Sequence, residues 1–263
     1  MAADRMSAGL DPQYRIFATP EQLAEGAADW IVERAREQPH RFALCLSGGE
    51  TPKRLYELIG AAPRRDRFPW ERTHWFWGDE RVVPHDDPRS NFHLAWEALL
   101  RHVPIPPENI HAILTERISS AAGAAEYEAA LKRFYGLDKL DAGRPLFDLT
   151  LLGLGEDGHI ASLFPGSPAL AETQKWVVPV IGAGELDRIT LTYPALASSA
   201  AVEFLVVGER KRDVLARARS GDPALPAARL RPGGAVHWFA DRAAAAMPAF
   251  SGEQIDGYCS TGF

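Results

Sequence analysis

The chain has 263 residues, 46% of them hydrophobic and 24% charged, with a formal net charge of −6 at pH 7. That length and apolar content support one large α/β domain or two small ones, each with a real core. The acidic balance argues against a general nucleic-acid or anionic-membrane binder, which needs a net basic face, but leaves room for an anionic small substrate in a local basic pocket.

Short β-type runs alternate with helical runs along the chain. YRIFA (14–18) predicts a strand, and Pro20 then opens a helix to about Glu37, with Leu23, Ala27, Trp30, Ile31 and Arg34 spaced for one face. FALCL (42–46) predicts a second strand, followed by SGGETP and a helix over KRLYELI. HWFW (74–77) predicts a third strand that runs into the charged loop GDER. Residues 90–102 predict a helix with Ser90 or Asn91 as N-cap, and residues 121–135 another, with Tyr127, Leu131 and Phe134 apolar at i, i+4 and i+7. FDLTLLGL (147–154), WVVPVI (176–181), RITLTY (188–193) and AVEFLVV (201–207) predict further strands. GERKRDVLARARS then predicts a helix, and AVHWFA (235–240) a last strand followed by a short Ala-rich helix.

Near-continuous apolar strands separated by helices predict a three-layer α/β fold: a modified, Rossmann-like, mostly parallel sheet with helices on both faces. The short GAGELD loop between WVVPVI and RITLTY is hairpin-like, so some strands are expected to be antiparallel. A single domain over residues 10–248 is expected, with a polar tail at 249–263. The two cysteines, Cys45 and Cys259, belong to no Cys-x-x-Cys or Cys/His cluster, so no structural zinc is suggested. No apolar run approaches a membrane span, and MAADRMSAGLDPQ has no apolar segment of the secretory type, so a cytoplasmic location is expected.

Ligands of such folds bind beyond the carboxyl ends of the strands, which singles out SGGETP, GDERVVPHDD and GLGEDGHIAS. GLGEDG satisfies G-x-G-x-x-G after the strand FDLTLL. A dinucleotide turn would also need a following helix and an acidic residue at the end of the next strand. Pro165, Gly166 and Pro168 stop any helix after about two turns, and Glu172 precedes the next strand while Glu185 comes too late. The nicotinamide reading therefore fails.

In SGGETP, Gly48 and Gly49 free the backbone to turn its N–H groups inward, Ser47 and Thr51 add hydroxyls, and Pro52 suits the start of a helix. The stretch fits an anion site as well as it fits a plain βα turn. GDER by itself reads as a solvent-facing charge cluster. His159 follows Gly158 and lies near Asp157, which suits proton transfer near neutral pH. His40, His102, His111 and His237 have no such company, and His85 in PHDDP reads as part of a solvated turn. Arg188 begins an apolar strand and Lys211 opens a helix; facing the loops, they would complete a phosphate pocket.

Five segments in order, LSGGETPKRLYELI, WFWGDERVVPHDDPRSNFHLA, FDLTLLGLGEDGHIASLFPGS, RITLTYPAL and the GERKRDVL block, resemble the 6-phosphogluconolactonase family within the group that includes glucosamine-6-phosphate deaminases. They span roughly residues 14–245. The resemblance implies hydrolysis of 6-phospho-D-glucono-1,5-lactone to 6-phosphogluconate, in the oxidative pentose phosphate pathway, with no cofactor and no metal. It implies that Ser47, Gly48, Gly49 and Thr51 line the phosphate end, that Arg188 and Lys211 contact the phosphate, and that His159 is the general base. Asp79, Arg81 and Asp157 would sit near the reacting end. The partner is then a small phosphosugar lactone, handled by a monomer or small homo-oligomer. The deaminase branch resembles D-E-Y where this chain has Asp79, Glu80 and Arg81, and N-E-P where it has Leu163, Phe164 and Pro165. Phe164 cannot relay a proton, which argues against the second alternative, an aldose/ketose sugar-phosphate isomerase or deaminase on the same fold. A non-catalytic sugar-phosphate sensor is the third alternative.

Overall fold

The computed structural model describes residues 13–182 and 184–246. Its elements run β1 (Tyr14–Phe17), α1 (Pro20–Glu37), β2 (Phe42–Leu46), α2 (Glu50–Gly60), α3 (Arg64–Arg67), β3 (Thr73–Trp77), β4 (Asp79–Arg81), α4 (Asn91–Ala98), α5 (Ser120–Tyr135), β5 (Leu149–Gly153), β6 (Val177–Val180), β7 (Arg188–Leu191), α6 (Tyr193–Ala197), β8 (Ala201–Val206), α7 (Arg212–Arg219), α8 (Pro226–Arg229) and β9 (Ala235–Asp241). The expected α/β architecture is present, but its strands form two sheets. Six are parallel in the order β1-β9-β8-β5-β2-β3, and three are antiparallel in the order β4-β7-β6.

All residues of β2 and β8 are buried. Strands covered on both faces explain why FALCL and AVEFLV lack an apolar–polar alternation. Trp75, Trp77, Phe76, Phe204 and Phe239 carry much of this core. One face is closed by α1, whose buried Leu23, Ala27, Ile31 and Ala35 recur at helical spacing. Pro179 is tolerated in β6 because that strand lies at the edge of its sheet.

The chain steps from β2 outward to β3, then returns to lay β5, β8 and β9 on the other side of β2. The strand order thus reverses between β2 and β5. A crevice opens at such a switch point beyond the strand ends. The two loops that begin there are SGGETP and GLGEDGH.

Several expectations require correction. GDER is not a solvent-facing cluster: residues 79–81 are β4, and Asp79 and Glu80 are buried. Alternation along the strand explains it: Asp79 and Arg81 face the crevice, and Glu80 points the opposite way. There the Glu80 carboxylate accepts from the N–H groups of Asn91 and Phe92, both at 2.7 Å, and from Ser90 Oγ at 2.9 Å. An anion at a helix start satisfies donors that the helix itself leaves open. Ser90 is the N-cap, accepting from His93 N–H at 3.1 Å, and α4 ends at Ala98 with a 3₁₀ turn over Leu100–His102.

No helix follows Gly158; residues 159–166 are turns and isolated bridges, which removes the dinucleotide reading entirely. The helix placed over GERKRDVLARARS begins as a 3₁₀ turn, Glu209–Lys211, so Lys211 sits just before α7. Residues 242–246 form turns in place of the Ala-rich helix. His111 has company: its Nε2 lies 3.1 Å from His74 Nδ1, and its ring stacks on Phe76. His85 is packed on Phe92, with its Nε2 2.8 Å from the Ile113 carbonyl. The ends of the 10–248 segment and the 249–263 tail lie outside the described residues. No helix among the described residues is long and apolar enough to cross a membrane.

Candidate active site

A cavity of about 340 Å³ occupies the switch point. It is lined by Ser47, Gly48, Gly49, Thr51, Asp79, Arg81, His159, Arg188 and Lys211, so nine of the ten residues singled out from sequence meet there. The tenth, Asp157, stands behind His159.

The first wall is the turn from β2 into α2. Tyr56, nearly two turns into the helix, reaches back to Ser47: its hydroxyl donates to the Ser47 carbonyl at 2.7 Å and accepts from the Ser47 N–H at 3.0 Å. The main chain of Ser47 is thereby fixed and its hydroxyl left at the cavity. Gly49, with φ 109°, is the N-cap of α2. The N–H groups of Glu50 and Thr51 fall in the first turn, where a helix supplies no acceptor. These donors and the helix dipole suit an anion at the cavity.

The second wall is the β4–β7 ladder, where Arg81 and Arg188 are register partners. Like charges directly opposite repel. Asp79 Oδ2 offsets part of this, 3.8 Å from the Arg188 guanidinium, and Arg81 donates to the Arg89 carbonyl at 2.6 Å. The Nε atoms of both arginines are buried with no acceptor among the described residues. Two guanidinium groups held together beside one carboxylate leave positive charge for an anionic ligand. Burial lowers the Arg188 pKa; Asp79 opposes this and Arg81 adds to it.

The third wall is the GLGEDGH loop. Asp157 Oδ1 lies 2.6 Å from His159 Nδ1 and accepts from the His159 N–H at 3.1 Å. A carboxylate on Nδ1–H places the lone pair on Nε2. Burial acts to raise the Asp157 carboxyl, but the hydrogen bonds from His159 outweigh it and hold it below the usual range. Gly158, with φ 84°, makes the left-handed step that returns the loop, and its carbonyl accepts from Ala227 N–H at 3.0 Å. Phe164 packs on the His159 ring with centroids 4.6 Å apart, and Arg188 lies 5.5 Å from the same phenyl ring. Lys211 closes the cavity from beyond β8; burial lowers its pKa and Glu156 opposes that.

A family model for glucosamine-6-phosphate isomerases/6-phosphogluconolactonase matches residues 18–238. This chain belongs to that family. Among its members, the 6-phosphogluconolactonase of Nostoc sp. is 41% identical over 221 residues, covering 82% of this chain and 88% of the relative. The solved 6-phosphogluconolactonase from Trypanosoma cruzi superposes with a TM-score of 0.78 at 28% identity, over 89% of this chain and 96% of that one. A monomeric glucosamine-6-phosphate deaminase shares the fold, with a TM-score of 0.75 at 20% identity. One family fold thus carries both chemistries, and the site must separate them.

Three side chains of this family member were not anticipated as part of the site. Asn91, itself in the cavity lining, and Ser162 hold Asp79, and Glu80 ties β4 to the start of α4. Period-two alternation in GDER was the available signal for Glu80, and the Ser90–Asn91 helix start was the signal for Asn91. Ser162 carries no local signal, because its partner Asp79 is far away in sequence.

Proposed function

We propose that the chain hydrolyses 6-phospho-D-glucono-1,5-lactone to 6-phospho-D-gluconate. The observation that carries this reading is one cavity holding a helix N-terminus and three cations, Arg81, Arg188 and Lys211, together with the His159–Asp157 pair. Relatives named 6-phosphogluconolactonase at 37–41% identity support it.

The substrate phosphate is held by the Ser47–Thr51 turn with Arg188 and Lys211. A lactone is an activated ester, so the enzyme has only to deliver water to C1. His159 Nε2 takes a proton as the water oxygen bonds to C1. Arg81 or backbone N–H groups stabilise the resulting oxyanion. The C1–ring oxygen bond then breaks, and His159 returns its proton to the departing ring oxygen. No covalent intermediate and no cofactor enter these steps.

The packing of Phe164 on His159 supports lactone hydrolysis over deamination. Ring opening and isomerisation of an amino sugar need a proton relay beside the histidine, and a phenyl ring carries none. We place the enzyme in the cytoplasm, as a monomer or small homo-oligomer with a single domain over residues 10–248.

The test compares two substrates with wild-type protein. Acid release from the lactone above the spontaneous rate, with no ammonia from glucosamine 6-phosphate, is the expected result. Ammonia release would favour the deaminase reading, and tight 6-phosphogluconate binding without turnover would favour a sensor.

A further inference from the structure

Asp79 faces the cavity, yet it is surrounded by donors. It is 7% exposed. Its Oδ2 accepts from Ser162 Oγ at 2.5 Å and lies 3.8 Å from Arg188. Its Oδ1 accepts from Asn91 Nδ2 at 3.3 Å, and the same amide donates to the Asp79 carbonyl at 2.9 Å. Both donors are themselves fixed. Ser162 is fully buried, and its N–H donates to Thr190 Oγ1 at 3.1 Å. Asn91 is 2% exposed and begins α4, with its N–H on Glu80. Each carboxylate oxygen already accepts from a resident donor and the side chain is nearly buried, which suits a fixed charge better than a proton carrier.

The geometry points to a different role. We infer that Asp79 anchors and aims Arg188, and that Ser162 and Asn91 are positioning residues that hold Asp79 in place. Asp79 and Arg81 share one face of β4, and Arg188 and Thr190 share the facing side of β7. Ser162 ties the loop after His159 to both strands, through Asp79 and Thr190. The loop that carries the base is therefore braced against the ladder that carries the arginines, and Asn91 braces the same carboxylate against α4. Asn91 also sets the neighbouring turn: its Oδ1 lies 1.9 Å from where a Cβ on Gly48 would be, so that position accepts only glycine while Asn91 stays.

This inference rests on the proposed contact between Arg188 and the substrate phosphate. The test is a double-mutant cycle on lactone hydrolysis, with inorganic phosphate as competing anion. Ser162→Ala removes a hydrogen bond to a charged group, so KM and the phosphate inhibition constant should rise together by about tenfold, with a smaller change in kcat. In an Arg188→Ala background the same substitution should add almost nothing, because its effect passes through Arg188. A merely structural role would lower thermal stability and would add in both backgrounds. Asp79→Asn, which keeps the side-chain volume, serves as the second variant if Ser162→Ala fails to fold, with the same expected pattern. A loss of about a hundredfold or more in kcat at unchanged KM for Asp79→Asn would overturn the inference and make Asp79 a proton carrier. Additive effects in the Arg188→Ala background would also overturn it. If Arg188→Ala alone left KM and phosphate inhibition unchanged, the phosphate assignment itself would fail, a result distinct from failure of the Asp79 anchor.

Discussion

A Cβ on Gly155 would lie 2.1 Å from Nδ1 of His159 and 2.5 Å from Oδ1 of Asp157. The second glycine of GLGEDG therefore leaves room for a histidine and its carboxylate, where a dinucleotide turn would leave room for a pyrophosphate. Gly155 has an ordinary negative φ, so the demand is spatial and does not come from backbone strain. Gly155→Ala should break the His159–Asp157 contact and lower kcat by about 10²-fold, within the range of a lost general base. Gly233→Ala, where an added Cβ meets nothing within 4 Å, is the matched control and should change kcat little. Steady-state kinetics of the two variants checks the point.

The cationic wall predicts a binding defect. Arg188→Ala and Lys211→Ala should each raise KM for the lactone by about tenfold or more, the scale of a lost hydrogen bond between charged groups. Titration of 6-phosphogluconate against each variant measures the same loss without turnover. An unchanged KM in both would undo the phosphate assignment.

The His74–His111 pair predicts acid sensitivity. Burial, reinforced by His74, lowers His111 to about 4, and burial also lowers His74. A histidine with a depressed folded pKa contributes stability that is present above its unfolded value and lost as pH falls toward its folded value. Urea-unfolding free energy should therefore decline between about pH 6.5 and 4. His111→Phe retains an aromatic stack on Phe76 and should flatten that decline.

Glu203 predicts the opposite slope. It is fully buried in β8, its register partner in β9 is His237, and neither carboxyl oxygen accepts a hydrogen bond among the described residues. Burial raises its pKa well above the ordinary value, with Arg15 opposing. A carboxyl with a raised folded pKa supports the fold fully below its unfolded value of about 4.5, and that support is lost as pH rises. Glu203→Gln should raise the melting temperature at pH 7 by about 2–4 °C or more, and by less at pH 4.5. Differential scanning calorimetry at the two pH values decides it.

Sequence patterning located most of the elements because their signals are local. Continuous apolar runs marked β2, β5 and β8, and helical spacing marked α1 and α5. The antiparallel β6–β7 pair was legible from its short connecting loop, but the third strand of that sheet was hidden because β4 is three charged residues, whose strand character depends on pairing with β7. For the same reason GDER read as a solvated cluster while Asp79 and Glu80 are buried. The site residues were legible where glycine, histidine and strand ends coincide, as at Ser47–Gly49 and at Gly155–His159. Asn91 was marked only as a helix start and Ser162 not at all, since a hydrogen bond between residues 79 and 162 leaves no trace in local spacing.

The role proposed for His159, held by Asp157, is to activate water against a phosphosugar lactone in this cavity. The most direct measurement is kcat for 6-phosphogluconolactone hydrolysis by wild type and His159→Ala, with the spontaneous reaction subtracted. A fall of about 10²–10⁴-fold, with 6-phosphogluconate still bound, is the predicted result. Near-normal turnover by His159→Ala would rule out that role for His159.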